Sequence, residues 1–246
     1  MKKLLTLCLL GLTLISYAQE REAEEQRAPG GFIFNAQMTT SGVGVSLNYL
    51  FGKPNLQWNL AIRGNSIRSN RENIIDSAYG DQGKKYVYGK MNYFFVLAPT
   101  VGIQHNAFPA RKGNIMDVSV GINVGPSVGL TTPYYVEVFN PVPGNSFYGV
   151  REKAAYDPAI HAYNDIIGRA GLFNGEFDFN TNIGAHIRAY ALLDFARSYK
   201  YVSGFEVGIN ADIYGDPIEI VASQERFENQ STFISATIGI IIGNRW

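Results

Sequence analysis

The chain has 246 residues, with 21 basic and 21 acidic side chains and no formal net charge, a balance that gives no reason to expect a nucleic-acid partner. Charged residues make up only 17% of it, low for a soluble surface, whereas Gly, Tyr and Phe are plentiful. One domain or two fit this length.

The N-terminus reads MKKLLTLCLLGLTLISYAQE. Lys2 and Lys3 precede an apolar core, residues 4–15, that is short for a membrane span, and Ser16-Tyr17-Ala18 offers a small-x-small cleavage site. The reading is a secretory signal peptide over 1–18. Cys8 lies inside the apolar core and not at its end, which argues against a lipoprotein signal. The mature chain then has no cysteine, so disulfides, thiol chemistry and Cys-based metal sites are excluded. Losing Lys2 and Lys3 leaves 19 basic against 21 acidic residues, a net charge of −2. Residues 19–30, QEREAEEQRAPG, are charged and lack apolar periodicity, as expected of a mobile tail. No later stretch has the length and apolarity of a transmembrane helix.

From residue 31 onward the period is two, the signature of strands. The predicted strands are 32–39, 43–51, 56–65, 92–106, 115–131, 174–195, 201–214 and 231–246. In the first, Phe32, Phe34, Ala36 and Met38 share a face. In the third, Leu56, Trp58, Leu60 and Ile62 oppose Gln57, Asn59 and Arg63. In the fifth, Val118, Val120, Ile122 and Val124 oppose Asp117, Ser119, Gly121 and Asn123. The sixth sets Phe177, Phe179, Ile183, Ala185 and Ile187 against Asp178, Asn180, Asn182, His186 and Arg188. The seventh sets Phe205, Val207, Ile209 and Ala211 against Glu206, Gly208, Asn210 and Asp212. Connections 52–55, 109–114 and 195–200 are short; 66–88, 132–175 and 215–230 are long. The turn near Thr40 and Ser41 breaks the rule by being short where a long one was expected. Eight strands joined this way predict an all-β, eight-stranded antiparallel up-and-down transmembrane barrel over 31–246, with short periplasmic turns and long extracellular loops.

The same alternation fits a soluble lipocalin-like barrel with its apolar face inside. Four features favour a membrane. The polar face is rich in Gly, Ser, Thr and Asn and poor in Lys. The apolar faces are long enough to cross the hydrocarbon. Aromatics such as Tyr49, Phe51, Trp58, Tyr93, Tyr214 and Trp246 gather near strand ends, where amphipathic rings sit at the headgroup level. The chain also stops within its last strand, at an aromatic residue.

That last stretch, ISATIGIIIGNRW, resembles the C-terminal strand of bacterial outer-membrane barrels, and Ile238, Ile240, Ile242 and Trp246 carry the resemblance. Asn244 stands where an apolar or aromatic residue is usual. The fourth predicted strand, NYFFVLAPTVGI, resembles the Tyr-x-apolar-x-x-x-Pro strands of the Bacteroidetes-type outer-membrane β-barrel family, which includes PorT-like proteins. The resemblance implies insertion by the barrel-assembly machinery and admits a role as an accessory of a secretion or surface-assembly machine.

Placed with the apolar face on lipid, Arg63, Asp117, Asp178, His186, Arg188, Glu206 and Asp212 point into the barrel. An Arg or Lys facing mid-membrane lipid costs roughly 2–4 kcal/mol, which accounts for the charge-free outer face. Pairing Leu193 with Tyr201 would set Arg188 opposite Glu206, Tyr190 over Gly204 and Asn182 opposite Asp212. The expected result is a paired polar core that plugs the barrel, with a narrow ion path as the alternative. Gly121, Gly125 and Gly129 make room for bulky interior neighbours.

The three histidines, His105, His161 and His186, form no metal-ligand spacing, and no cofactor is implied. Ser146, Asp157 and His161 share one connection, the arrangement a lipid-modifying enzyme would need. The aromatic stretch 134–148 offers Tyr134, Tyr135, Phe139, Phe147 and Tyr148 either as a docking surface, or as a cover folded over the barrel mouth or an extension of the fifth strand above the membrane. A short helix is expected to start at Asp157-Pro158. Together these observations predict a non-enzymatic outer-membrane protein with a structural or interaction role. Outer-membrane lipid, the assembly machinery and envelope or secretion proteins are its expected partners. The alternatives are a small-solute pore and a lipid-modifying enzyme.

Overall fold

The computed structural model describes residues 30–53, 55–80, 83–108, 116–142, 145–171, 179–196, 200–222 and 229–246, with the backbone alone for residues 142 and 145–148. The expected signal peptide, the tail up to residue 29, and Asp178 lie outside these residues. In chain order the described strands are β1 (Gly31–Thr39), β2 (Gly42–Lys53), β3 (Leu56–Ile67), β4 (Asn73–Ile75), β5 (Tyr86–Tyr88), β6 (Asn92–Phe108), β7 (Asp117–Pro133), β8 (Tyr135–Val142), β9 (Asn145–Ala155), β10 (Ile166–Arg169), β11 (Asn180–Asp194), β12 (Tyr201–Tyr214) and β13 (Thr232–Arg245).

Eight of them close into a barrel in the order β1-β13-β12-β11-β7-β6-β3-β2, with β2 returning to β1. Every barrel ladder is antiparallel, and each barrel strand pairs with its predecessor and successor in the chain. The last rung joins the two ends, with Gly30 and Trp246 exchanging backbone hydrogen bonds of 3.1 Å in both directions. Closure leaves no edge strand in the wall.

The period of two sorts the side chains as the alternation predicts. On β13, Ile234, Ile238, Ile240 and Ile242 are exposed on the outside, while Ser235 and Thr237 are buried inside. On β1, Phe32, Phe34 and Met38 face out and Asn35 and Gln37 face in.

At the end where Gly30 and Trp246 meet, here the terminal end, β2 and β3 are separated by two residues, β6 and β7 by eight and β11 and β12 by six. In the β2–β3 turn the chain takes a φ of +122° at Gly52, a conformation that a side chain would strain. The opposite end, the loop end, carries structure that the sequence reading left as connections. Between β3 and β6 stands the β4–β5 hairpin, and between β7 and β11 a three-stranded sheet in the order β10-β8-β9. The helix expected from Asp157-Pro158 does not form. Asp157 caps a single turn, its Oδ1 accepting from Ala159 N at 2.8 Å and its carbonyl from His161 N at 2.9 Å, and a 3-10 turn follows at Tyr163–Asp165. β10 starts at Ile166, too soon for a helix nucleus to extend.

Three apolar clusters are stacked along the barrel axis. At the terminal end Ile33, Leu50, Tyr190, Leu192, Val202 and Ile241 fill the lumen. At the other mouth Ile218 and Ile220, from the β12–β13 connection, fold in against Ile67, Phe94, Val96 and Tyr214. Backbone bonds hold this inward turn, since the Ile220 carbonyl accepts from Met91 N at 2.9 Å and Asn92 N at 3.2 Å. Beyond it, Tyr86, Tyr134, Val136, Val138, Tyr156 and Ile166 form a separate core under the three-stranded sheet.

Candidate functional site: the filled interior and the loop-end sheet

Between the two apolar fillings of the lumen lies a polar tier. Arg63, His186, Arg188, Glu206 and Asp212 are all buried there. His186 Nδ1 lies 2.7 Å from Asp212 Oδ1, which also accepts from Ser127 Oγ at 3.1 Å; Ser127 Oγ in turn bonds the Tyr214 hydroxyl at 2.7 Å. Arg188 pairs with Glu206, whose Oε1 also accepts from Asn35 Nδ2 at 2.7 Å. The Arg188 guanidinium lies 4.5 Å above the Tyr190 ring. The Tyr190 hydroxyl accepts from Asn59 Nδ2 at 2.8 Å and donates to Gln104 Oε1 at 3.1 Å. Two guanidinium groups thus balance two carboxylates, and buried charges tolerate such a tier only when paired and hydrogen-bonded.

The pairing arises from a register other than the expected one. Leu193 lies opposite Phe205 and not Tyr201, Arg188 opposite Asn210, Tyr190 opposite Gly208, and His186, not Asn182, opposite Asp212. Glu206 lies opposite Leu192, four residues along the strand from Arg188. That is a rise of about 13 Å, which the Arg188 and Glu206 side chains span together. The expected register centres the turn on residue 197, whereas the observed ladder, whose last rung is Asp194 with Gly204, centres it two residues later.

Asp117 sits at the terminal end, buried, accepting from Asn106 Nδ2 at 3.3 Å, away from the His186–Asp212 group. Two charged residues absent from the expected list form the tightest pair at that rim. Arg245 Nη2 lies 2.8 Å from Asp194 Oδ2, and Asp194 Oδ1 accepts from Ala196 N at 2.9 Å and Ser203 N at 3.0 Å. Parity alone identifies both, because Asp194 shares the face of Arg188, and Arg245 that of Ser235 and Thr237. Asn35, Asn59 and Gln104 are also inward by parity, but uncharged amides draw less notice.

Of the interior glycines, Gly121 and Gly129 make room for rings. A Cβ at Gly121 would lie 2.5 Å from Tyr190 Cζ, and one at Gly129 would lie 2.7 Å from Phe94 Cε2. Gly125 differs, because a Cβ there would meet the Pro99 backbone carbonyl instead of a bulky side chain. Ile238, Ile240, Ile242 and Trp246 lie on the exposed outer face, with the Trp246 ring 6.1 Å from that of Tyr49.

The aromatic stretch at the loop end is only partly a surface. Tyr134 is 2% exposed and belongs to the core beneath the sheet, which removes it from any docking face. Its ring packs edge-on against Tyr93 at 5.3 Å and Tyr156 at 6.3 Å, and its hydroxyl accepts from Val87 N at 3.0 Å. Tyr135 and Phe139, on β8, are half-buried. The side chains of Phe147, Tyr148 and Ser146 lie outside the described residues. Burial raises the Tyr86, Tyr134 and Tyr156 hydroxyls above the ordinary tyrosine pKa. His161 Nδ1 accepts from the backbone N–H of Asp157 at 3.1 Å, and its ring stacks on Tyr156 at 6.2 Å. Among the described residues no group of three or more His, Asp or Glu is placed to hold a metal ion.

No family model and no curated protein sequence matches the chain. Among solved structures, the crystal structure of Neisserial surface protein A (NspA) is similar with a TM-score of 0.41 and 7% sequence identity, covering 88% of this chain and 96% of that one. The barrel assignment stands on the closed set of hydrogen-bonded ladders described above.

Proposed function

We propose that this chain is an outer-membrane β-barrel protein without catalytic chemistry, with a structural or interaction role centred on its loop end. One observation carries the reading: the outer wall is apolar all the way round. Phe34, Val45, Leu60, Val101, Val124, Ile187, Ile209 and Ile240, one from each barrel strand, are all exposed. A soluble monomer rarely exposes a contiguous apolar patch beyond a few hundred Å², and this belt encircles the molecule. Lipid hydrocarbon is the solvent that suits it. A lipocalin-like barrel needs the reverse arrangement, with the apolar face lining a ligand cavity.

In a bilayer the loop end is the extracellular end, as short turns and both chain ends mark the periplasmic side in such barrels. The sheet that stands there offers its faces, and its β9 edge is unpaired but carries Arg151, Glu152 and Lys153, charges that discourage strand addition. Docking through side chains therefore suits it better than strand pairing. The Bacteroidetes-type resemblance of β6 supports envelope or secretion proteins as the partners.

The membrane reading is tested by gel mobility and extraction. The protein is expected to remain in urea-washed outer membranes and to migrate faster unboiled than boiled. Release by urea with a single mobility would refute it. The accessory role is tested by purification in mild detergent, where an envelope or secretion protein is expected to co-purify in fixed ratio.

A further inference from the structure

Above the rim of the barrel, between the β4–β5 hairpin and the base of the three-stranded sheet, lies a cavity of about 520 Å³. That volume is within the range of small-ligand pockets. Its walls carry five cations, Arg68, Lys84, Lys85, Lys90 and Arg169, against one carboxylate, Glu72. The rest of the lining is largely aromatic and aliphatic, with the half-buried Tyr93 ring on the cavity and Tyr86 and Tyr134 packed behind it.

The cations are not equivalent. Lys90 is buried and held, its Nζ 2.6 Å from Glu72 Oε1 and 4.7 Å from the centre of the Tyr93 ring. It builds the floor and neutralises Glu72, the one acid among the described lining residues. Lys84 and Lys85 reach Glu137 at 3.9 Å and Asp76 at 3.1 Å through largely exposed side chains. Exposed pairs of this kind contribute little and exchange readily for another anion. Arg68 and Arg169 are exposed, and neither forms an ion pair with a described residue. Two planar guanidinium forks are thus available at one cavity, and such forks match the oxygens of a phosphate bidentately.

We propose that this cavity binds a sugar phosphate, with Arg68 and Arg169 on the phosphate, Lys84 and Lys85 in support, and the aromatic wall at Tyr93 against the sugar ring. A bare phosphate would leave the aromatic wall unused, and a neutral sugar would leave the cations unmatched. The same chemistry is available from a soluble phosphorylated sugar and from the phosphorylated glycan headgroup of an outer-leaflet lipid. The proposal rests on the outer-membrane reading only for which end of the barrel faces outward.

The test is isothermal titration of the full-length protein in detergent with glucose 1-phosphate, glucose and inorganic phosphate. Glucose 1-phosphate is expected to bind saturably, and the other two at least tenfold more weakly. Arg68→Ala and Arg169→Ala should each weaken its binding tenfold or more while leaving the unboiled gel mobility unchanged, since both side chains are exposed. No binding of glucose 1-phosphate, or equal binding by parent and both variants, would overturn the site. Repeating the titration in nanodiscs with and without lipid A assigns the source. A drop in apparent affinity when lipid A is present supports a lipid-borne ligand, and unchanged affinity supports a soluble one. Failure of the site leaves the mobility shift intact, so the two readings fail separately.

Discussion

Replacing Arg188 with leucine leaves the Glu206 carboxylate buried, with Asn35 Nδ2 as its remaining hydrogen-bond donor among the described residues. Breaking a buried pair from one side costs about 3–5 kcal/mol. Arg188→Leu should therefore lower the urea midpoint of the detergent-solubilised barrel sharply. Adding Glu206→Gln should recover much of the loss, because the stranded charge is gone; unchanged stability in the single variant would disprove the pairing. Gly121→Val should destabilise by about 1–3 kcal/mol, since its side chain must displace a Tyr190 ring held by Asn59, Gln104 and Arg188. Tyr86→Phe should have the opposite sign. The Tyr86 hydroxyl is buried with no hydrogen-bond partner among the described residues, and removing it should raise the thermal midpoint slightly, by up to about 1 kcal/mol of stability. At this scale parity told which residues point inward, including Arg188, His186 and Glu206. It could not tell which of them meet. That depends on register, and a shift of four residues between β11 and β12 keeps every side chain on its own face. The alternation is therefore blind to the difference.

Among the elements, the β6–β7 seam is unusual. The register that joins Leu97 to Val128 and Val101 to Val124 sets Pro99 opposite Pro126, and pairing lapses between those rungs. Proline cannot donate to a ladder and normally avoids central strands. Facing each other, these two confine the loss to one place in the wall. The amides of Ala98, Thr100, Gly125 and Ser127 should exchange with deuterium faster than those at the same depth in the β12–β13 seam, which is continuous from Tyr201 to Ile213. The loop-end layer has its own weakness, in alkali. Tyr86, Tyr134 and Tyr156 hold their protons more tightly folded than unfolded. Their contribution is complete below about pH 10, the unperturbed tyrosine value, and is lost as the pH rises above it. Tyrosinate absorbance should rise together with loss of the loop-end sheet above that pH, in a step absent from the triple Phe variant. This layer was the least legible part of the sequence. β4 and β5 have three residues each, too few for a period to register, and β8 runs through Pro141, a residue that argues against a strand. The wall strands, at nine to seventeen residues, gave the period room to repeat.

At the scale of the molecule, the lumen is closed three times over. Ile218 and Ile220 stop one mouth, the ion-paired tier fills the middle, and the Leu50, Leu192 and Ile241 layer stops the other end. Planar bilayers holding the purified protein should show no discrete conductance steps; steady steps would favour the pore reading and require a water path through all three layers. The expectation of a polar plug captured the middle layer alone. Ile33, Leu50 and Ile241 occupy inward positions, yet as aliphatic residues in strands otherwise greasy on the outside they drew no attention. The closed ladder has a further consequence. β1, among the first strands made, finds its second neighbour only in β13, among the last. Until then any partial wall carries two raw edges, and a bilayer has no water to satisfy them. On the outer-membrane reading proposed above, the barrel cannot enter lipid strand by strand during synthesis. The polypeptide would then have to travel unfolded and be held in that state, with its commitment to the membrane a single late event.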